Sequence, residues 1–375
     1  MKSVFKLTML LLFASLVNCT AGTDEISRRE YTKTIKKEFD IAANGTTYLS
    51  NKYGEVTVKT WDRNRVKISV NIVVDANSED KANDVFDRIT VNFSNARDYV
   101  RAITEIESSR SSWWSWGSSS SKGDYKINYE VYLPTSNNLD LELKYGDAYV
   151  ANMEGKVKLN LKYANFKVEG VGDDSTIDFA YGNGAIQKAR DLTTSLSYGK
   201  LDIEQVNDIS LTTKYSKINI ERAGDVRCET KYDTYRLMEV ADFKNYGKYD
   251  NFSIQKVRNV SLEGKYSSIE AEEVSQRVDL DMEYGSASFG LSRQFQEASM
   301  NGKYTDFKVN VASGAAYRMD AMATYAGISY PSNFEVVKEI SKSSSQEVEG
   351  YSLKSNAQAT ITARLNYGGL RVRTN

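Results

Sequence analysis

The stretch KYSKINI, from Lys214 to Ile220, recurs in variant form along much of the chain. The chain reads SYGKLDI seventeen residues earlier and KYDTYRL seventeen residues later. Each copy has a tyrosine, a small or polar residue or two, and then alternating apolar and polar residues. A phrase repeated at a fixed spacing is typical of a solenoid, in which each coil of chain stacks on the previous one.

A tyrosine marks the same point in every copy. The intervals between these tyrosines are 17 or 18 residues in the centre and 20, 21 and 42 residues toward the C-terminus. An earlier copy of the phrase runs from Asn51 to Val58. The tyrosines of the main series are Tyr145, Tyr163, Tyr181, Tyr198, Tyr215, Tyr232, Tyr249, Tyr266, Tyr284, Tyr304, Tyr325 and Tyr367.

The residues around each tyrosine alternate in the manner of a β-strand. With the tyrosine as position 0, apolar or small residues occupy −6, −4 and −2, and then +3, +5 and +8. Apolar residues lie at even positions before the tyrosine and at odd positions directly after it, and this change indicates a corner. Glycine is frequent at +1, which suits a bend. The sequence therefore predicts an all-β, parallel, right-handed β-solenoid of about 12–13 three-sided coils.

Two kinds of residue within the repeat have a predicted place. The tyrosines continue the inward parity of the residues before them, so we expect a stacked ladder inside the rod or at its corner, with hydroxyls that reach solvent or a turn amide. The alternative is an aromatic row that binds sugars. Cys228 lies at −4, where other coils have leucine, and is predicted to be a small core residue.

The repeats leave the two ends of the chain to be explained. We assign residues 139–375 to the solenoid, with an insertion at 331–360 that forms a side loop or hairpin. Residues 22–138 hold N-terminal strands and a capping helix from Ser78 to Ile89, with Ser78 as its N-cap. Arg371 and Arg373 in the last strand are expected to discourage end-to-end growth.

The N-terminus has the pattern of a secretory signal. Lys2 and Lys6 precede an apolar run from Leu7 to Val17, and we assign residues 1–21 to a signal peptide. Cys19 either belongs to a cleavage site or is the lipidated residue of a lipoprotein, and both alternatives remain open. The protein is expected to be exported to the periplasm, outer membrane or cell surface, with membrane contact only through such a lipid anchor.

Composition excludes several kinds of chemistry. The 375 residues carry a formal net charge of −1 and include no histidine. No Ser-His-Asp triad and no histidine zinc site can form, and nothing points to nucleic acid. The acidic pairs Asp173–Asp174 and Glu272–Glu273 fall at predicted turns without a companion cluster. We therefore predict no catalytic residues, no metal, no cofactor and no enzyme.

The chain resembles the exported β-strand-repeat proteins of unknown function that are labelled adhesins, of the toast-rack type. The resemblance rests on NKYGEVTVKTWDRNRVKISV (51–70), INYEVYLP (127–134) and LELKYGDAYVANMEG (141–155). It implies a parallel β-solenoid, an envelope or surface location and, in some members, association with envelope-stress systems. It implies no catalytic residues.

Two sets of residues are candidates for binding. Trp113, Trp114 and Trp116 lie in a serine-rich insertion and either grip carbohydrate or a bilayer interface, or fold back onto the rod. Lysines at −1 either form a ladder for an anionic glycan or lipid headgroup, or belong to a solvated face with the acids Glu142, Glu229 and Glu263 at −3. These lysines are Lys144, Lys162, Lys214, Lys231, Lys248, Lys265 and Lys303.

These observations favour a non-catalytic exported β-solenoid that serves as an envelope scaffold or an adhesin-like binding protein. Its expected partner is a glycan or another envelope protein. The alternatives are a polysaccharide-degrading β-helix enzyme and an accessory protein of an envelope-stress system.

Overall fold

A computed structural model describes residues 28–107 and 125–375. It contains one helix, α1 (Glu79–Asp87), near the N-terminal end of a sheet of 23 strands. The strands are β1 (Arg29–Asp40), β2 (Thr46–Lys52), β3 (Val56–Trp61), β4 (Arg65–Ala76), β5 (Ile89–Asn95), β6 (Tyr99–Ile106), β7 (Tyr125–Pro134), β8 (Asn138–Val150), β9 (Val157–Val171), β10 (Ser175–Ala180), β11 (Asn183–Ser197), β12 (Lys200–Lys214), β13 (Lys217–Lys231), β14 (Thr234–Lys248), β15 (Asn251–Lys265), β16 (Ser268–Leu291), β17 (Glu297–Val311), β18 (Tyr317–Thr324), β19 (Ile328–Ser329), β20 (Glu335–Lys342), β21 (Ser345–Ser352), β22 (Ala359–Asn366) and β23 (Leu370–Thr374).

The central coils are strands of equal length stacked in parallel register. Each of β11 to β15 has 15 residues, and two corner residues complete the 17-residue period. Strand β12 pairs with β13 so that each residue lies beside the one seventeen positions later. This pairing confirms the β-solenoid that the repeat predicts.

Each central coil has three sides around a continuous apolar core. The pairing of β12 with β13 omits Glu204 and Asn207, so the strand bends at these two residues. Leu201, Ile203 and Val206 point inward and are buried, as are Ile218 and Ile220 in the next coil, where Ala223 is partly buried. Each fully buried aliphatic side chain contributes roughly 1.5–3 kcal/mol. Stacked columns of such residues therefore supply the cohesion of the rod.

The tyrosine of every repeat is itself the corner residue. The expectation that its side chain faces inward, like those at −6, −4 and −2, is therefore wrong. Thirteen of these tyrosines have φ between 52° and 65°, in the left-handed region. The reversal turns the ring outward and directs the following residue into the core, where Ser216, Asp233 and Asp250 are buried. The ladder therefore lies at the corner and not inside the rod.

Backbone hydrogen bonds join neighbouring coils on both sides of the corner. The N–H of Tyr215 donates to the carbonyl of Lys231 in the next coil, at 3.0 Å. Two residues later, the N–H of Lys217 donates to the carbonyl of Gly199 in the previous coil, also at 3.0 Å. The N–H at +1 leaves this backbone ladder, as where Ser216 donates to the Asp233 carboxylate, and the coils stay in register on both sides of the corner.

The N-terminal end is closed by antiparallel strands and a helix. Strand β4 pairs antiparallel with both β1 and β7. Helix α1 packs beside them through buried Ala82 and Phe86, and the side chain of Ser78 accepts a hydrogen bond from the N–H of Lys81. The predicted capping helix and its N-cap are confirmed.

The C-terminal end differs from the expectation because the last strands insert into the stack. Strands β22 and β23 lie between β17 on one side and β18 and β19 on the other. Strand β19 pairs with Leu370 and Arg371, so Arg371 lies inside the stack, contrary to the prediction, whereas Arg373 pairs with β17 alone. Strand β21 pairs antiparallel with β18, and β20 pairs with β21, so the segment before β22 forms a hairpin that extends the last coil.

The solenoid has about ten turns, fewer than the expected 12–13. The phrases around Tyr53 and Tyr325 lead into antiparallel strands and do not complete a coil. The number of tyrosine corners therefore exceeds the number of full turns.

Adjacent residues of β14 provide a test of the inward columns. Leu237 is 2% exposed and Met238 is 53% exposed. We expect Leu237→Ala to lower the free energy of unfolding by about 2–5 kcal/mol, because it leaves a cavity in the core. Met238→Ala is the matched control and should change it by less than about 0.5 kcal/mol. Denaturant unfolding of the two variants measures the difference; equal effects would contradict the columns.

The left-handed corner can be tested at Tyr232, whose φ is 61°. Both Tyr232→Asn and Tyr232→Val remove the ring, but asparagine tolerates this φ and a β-branched residue does not. We expect the valine variant to be less stable than the asparagine variant by about 1–2 kcal/mol. Thermal and denaturant unfolding measure the gap, and equal stability of the two variants would argue against the corner conformation.

Candidate binding groove beside the tyrosine column

The corner tyrosines form one stacked column along an edge of the rod. Their ring centroids are 4.6–5.2 Å apart from Tyr53 to Tyr325, with interplanar angles of 13° or less. Tyr367 stacks between Tyr304 and Tyr325, following the spatial order of the strands. Twelve steps near the strand spacing make a column on the order of 60 Å long.

The column exposes ring edges and not ring faces. The rings from Tyr145 onward are between 39% and 60% exposed, yet each interior ring has a neighbour on both faces. A sugar binds an aromatic side chain by stacking on an open face. The interior of the column therefore does not offer the sugar platform considered as an alternative, and it acts as a structural ladder.

Lysines at −1 lie beside this column in two blocks. Lys144 is in register with Lys52 on one side and Lys162 on the other. Ala180 and Ser197 then occupy the position, and a second block follows that consists of Lys214, Lys231, Lys248 and Lys265. The structure therefore places six of the seven predicted lysines in two separate groups, and Lys303 lies apart from both, between Glu283 and Asn366.

The second lysine block is unusual when compared with another outer column of the same coils. At +7, Arg222, Glu239, Lys256 and Glu273 alternate in sign from strand to strand. Alternating charges stabilise neighbouring strands, whereas like charges directly opposite destabilise them. The solvated-face interpretation fits the +7 column well. It does not account for four lysines in register.

A groove of about 720 Å³ runs along this second block. Its lysines are accompanied by a parallel column at −3, in which Glu229, Tyr246 and Glu263 follow one another in register. Four lysines and four carboxylates line the groove in all, so its charge is balanced. At the far end, Lys265 forms an ion pair with Glu283 at 3.0 Å, and this contact raises the pKa of Lys265.

The floor of the groove consists of small residues. The −2 position has Thr213, Thr230, Gly247 and Gly264 here, where the preceding coils have Leu161, Phe179 and Leu196. A Cβ on Gly247 would lie 2.0 Å from Thr230 Oγ1 and 2.6 Å from Asp250 Oδ2, so the backbone approaches the interior closely. This local replacement of large side chains accounts for a concave face at this place.

Two buried carboxylates lie beneath the floor. Asp233 accepts hydrogen bonds from the N–H of Ser216 at 2.7 Å and from Thr213 Oγ1 at 2.8 Å. Asp250 accepts from the N–H of Asp233 at 2.8 Å and from Thr230 Oγ1 at 2.7 Å. Each aspartate thus ties its corner to the previous coil by hydrogen bonds that a glycine or alanine at +1 lacks.

Burial raises the pKa of both aspartates, and that of Asp250 reaches about 6. The hydrogen bonds they accept offset only part of the cost of removing the charge from water. Burial likewise raises the pKa of Cys228 above that of an ordinary thiol. Cys228 is 6% exposed, which confirms its predicted place in the core.

The remaining predicted sites are partly outside the described residues. Trp113, Trp114, Trp116 and Cys19 lie in segments that the structure does not describe. Asp173 pairs with Arg190 at 2.9 Å. Glu272 and Glu273 lie within β16, and Glu272 occupies the bend that the pairing of β15 with β16 omits.

The described part of the chain contains neither a metal cluster nor a membrane-spanning helix. Residues 28–107 and 125–375 contain no group of three or more acidic, cysteine or histidine side chains placed to hold a metal ion. In the same residues no helix is long and apolar enough to cross a bilayer.

Comparisons with known proteins find solved structures of low similarity. No protein-family model matches the chain, and no curated protein sequence matches it. Among solved structures, a "putative adhesin" from Bacteroides fragilis is 13% identical with a TM-score of 0.29, covering 74% of this chain and 96% of its own. One from Parabacteroides merdae is 11% identical with a TM-score of 0.30, covering 74% and 92%.

A third solved structure covers more of the chain. A "putative cell adhesion protein" from Clostridium sporogenes is 9% identical with a TM-score of 0.20, covering 92% of this chain and all of its own. The descriptions of these three structures agree with the adhesin-labelled group that the sequence resembles. TM-scores this low support no inference about what the chain binds.

The buried aspartates make stability depend on pH in a predictable direction. Asp250 has a pKa of about 6 in the folded protein, whereas an aspartate in an unfolded chain titrates near ~3.9. Between these values the folded state binds more protons, so its stability rises as the pH falls. The Asp250→Asn variant lacks this titrating carboxyl group. We therefore expect the free energy of unfolding of the variant minus that of the wild type to be higher at pH 7 than at pH 5.

Denaturant unfolding at both pH values measures this difference, and Asp242→Asn is the control. Arg258 lowers the pKa of Asp242, so the control should lose stability similarly at pH 5 and pH 7. An Asp250→Asn variant with the pH dependence of the wild type would show that Asp250 does not titrate in this range.

Proposed function

We propose that this chain is a non-catalytic, exported β-solenoid that acts at the cell envelope as an adhesin-like binding protein. Its binding face is the groove beside the second lysine block, and its ligand is a polysaccharide. The observation that carries the proposal is the run of Lys214, Lys231, Lys248 and Lys265 in register within a concave face. Like charges in register cost stability, and contact with a ligand offsets that cost.

The composition of the groove favours sugars over a purely anionic polymer. Ammonium groups donate hydrogen bonds and carboxylates accept them, and a sugar hydroxyl can do both. Four lysines and four carboxylates offer both kinds of partner at regular spacing. A polyanion would meet Glu229 and Glu263 beside the lysines, so a neutral polysaccharide suits the face better.

A rigid rod suits an adhesive role better than a catalytic one. Of the four lining carboxylates, Glu229, Glu263 and Asp281 are exposed to solvent, and Glu283 forms the ion pair with Lys265. General acid catalysis of glycoside cleavage calls for a carboxyl group held in a protonating environment. Export and a surface location follow from the N-terminal signal pattern and remain part of the proposal.

The lysine face can be tested against a matched pair on the alternating column. We expect Lys231→Gln combined with Lys248→Gln to weaken binding to a soluble neutral polysaccharide by tenfold or more, because charge-assisted hydrogen bonds of roughly 1.5–3 kcal/mol each are lost. Arg222→Gln combined with Lys256→Gln removes the same charge from another side of the rod and should leave affinity within about twofold. Native gel electrophoresis through gels containing mannan, xylan or a soluble β-glucan measures the affinities.

Three outcomes would contradict this proposal. One is the absence of retardation by any of these polysaccharides, and another is an equal loss of affinity in both variants. The third is release of reducing sugar that Glu229→Gln or Glu263→Gln abolishes, because such a result would assign hydrolysis to the groove.

A further inference from the structure

Tyr246 differs from every corner tyrosine of the rod. It lies at −3 on the outer face of β14, and 63% of its surface is exposed. Within residues 28–107 and 125–375 no other aromatic ring contacts it, whereas each corner tyrosine from Tyr145 onward has one or two stacked neighbours. Its side chain is therefore open to solvent and is not part of the stacked column.

The neighbours of Tyr246 complement the polar rim of a sugar. Glu229 and Glu263 are its in-register partners on the two flanking strands, so one carboxylate lies on each side of the ring. Lys248 lies two residues along the same strand on the same face, in register with Lys231. An exposed aromatic side chain between acceptors and donors is an arrangement that can orient a polyhydroxylated ring.

Tyr246 lies in a concave part of the surface, the groove. Tyr246 rises from the part of the face whose floor contains Gly247 and Gly264, both lining the groove of about 720 Å³. This volume lies within the range of roughly 300–1,000 Å³ that small-molecule sites occupy. A ligand can therefore lie along the rod axis with one ring over Tyr246 and its neighbours over adjacent coils.

We propose that Tyr246 is the stacking platform for one pyranose ring of a neutral polysaccharide that lies in the groove. This inference rests on the proposed function and adds to it the residue that contacts the sugar face. The hydroxyls of that ring donate to Glu229 and Glu263 and accept from Lys231 and Lys248. No bond is broken, and the interaction is binding alone.

The test compares Tyr246→Ala with Tyr246→Phe, using mannan, xylan and a soluble β-glucan as probes in affinity gel electrophoresis. Loss of a stacked ring of this kind corresponds to about a tenfold fall in affinity, so we expect at least that for the alanine variant. The phenylalanine variant keeps the stacking face and should stay within about threefold. Tyr48→Ala is the matched control: Tyr48 is 38% exposed on β2, outside the groove, and its loss should leave affinity unchanged.

The outcomes separate this inference from the proposed function. If Tyr246→Ala binds like the wild type while the lysine variant is impaired, the groove binds sugar and the platform is wrong. If the wild type binds none of the neutral polysaccharides, or binds only anionic ones, both ideas fail. Thermal unfolding of each variant should match the wild type, because Tyr246 makes no aromatic contact that supports the core.

Discussion

The structure depends on one repeated interaction, the parallel backbone ladder that joins each coil to the next on both sides of the corner. The N–H of Tyr215 donates to the coil on one side and the N–H of Lys217 donates to the coil on the other, so the ladder resumes directly after the corner. A tyrosine in the left-handed region costs about 1–2 kcal/mol in backbone energy. Stacking between neighbouring rings, at about 0.5–1.5 kcal/mol for each pair, offsets much of that cost. The column of tyrosines is thus a consequence of the corner and a support for it.

Registered stacking converts a linear repeat into columns of like residues, and the columns explain the surfaces. Where charges alternate from coil to coil, as from Arg222 to Glu239 to Lys256, the column stabilises the stack. Where four lysines follow one another, the stack bears an electrostatic cost that needs another explanation. The same coils have small residues at −2 and buried aspartates at +1. The departures from the repeat thus coincide at one place, which is where the groove lies.

The sequence predicts much of the fold because periodicity is a strong signal. The 17-residue repeat, the inward columns, Cys228 in the core and the helix capped by Ser78 all follow from pattern alone. The left-handed tyrosines do not, because a bulky residue with positive φ is rare and alternation alone suggests that position 0 faces inward. The insertion of β22 between β17 and β18 is also invisible to a repeat count, since sequence order and spatial order differ there.

The site was harder to predict than the fold. The lysines were identified from their position, but their grouping into two blocks depends on Ala180 and Ser197, which the lysine pattern omits. Residue type alone does not distinguish Tyr246, because the chain has many tyrosines. The available signal was its parity, because it lies at −3 where Glu229 and Glu263 stand in the adjacent coils. Glycine at −2 and aspartate at +1 were further visible breaks in the repeat.

Distances between equivalent residues test the registered stack most directly. Spin labels at Lys200 and, in turn, at Lys217, Thr234, Asn251 and Ser268 occupy the same outward position in successive coils. In a background with no other cysteine, electron paramagnetic resonance should give separations that grow by about 4.8 Å with each coil. Separations that alternate between short and long would mean that the segments pair antiparallel, and the stacked-coil account would then be wrong.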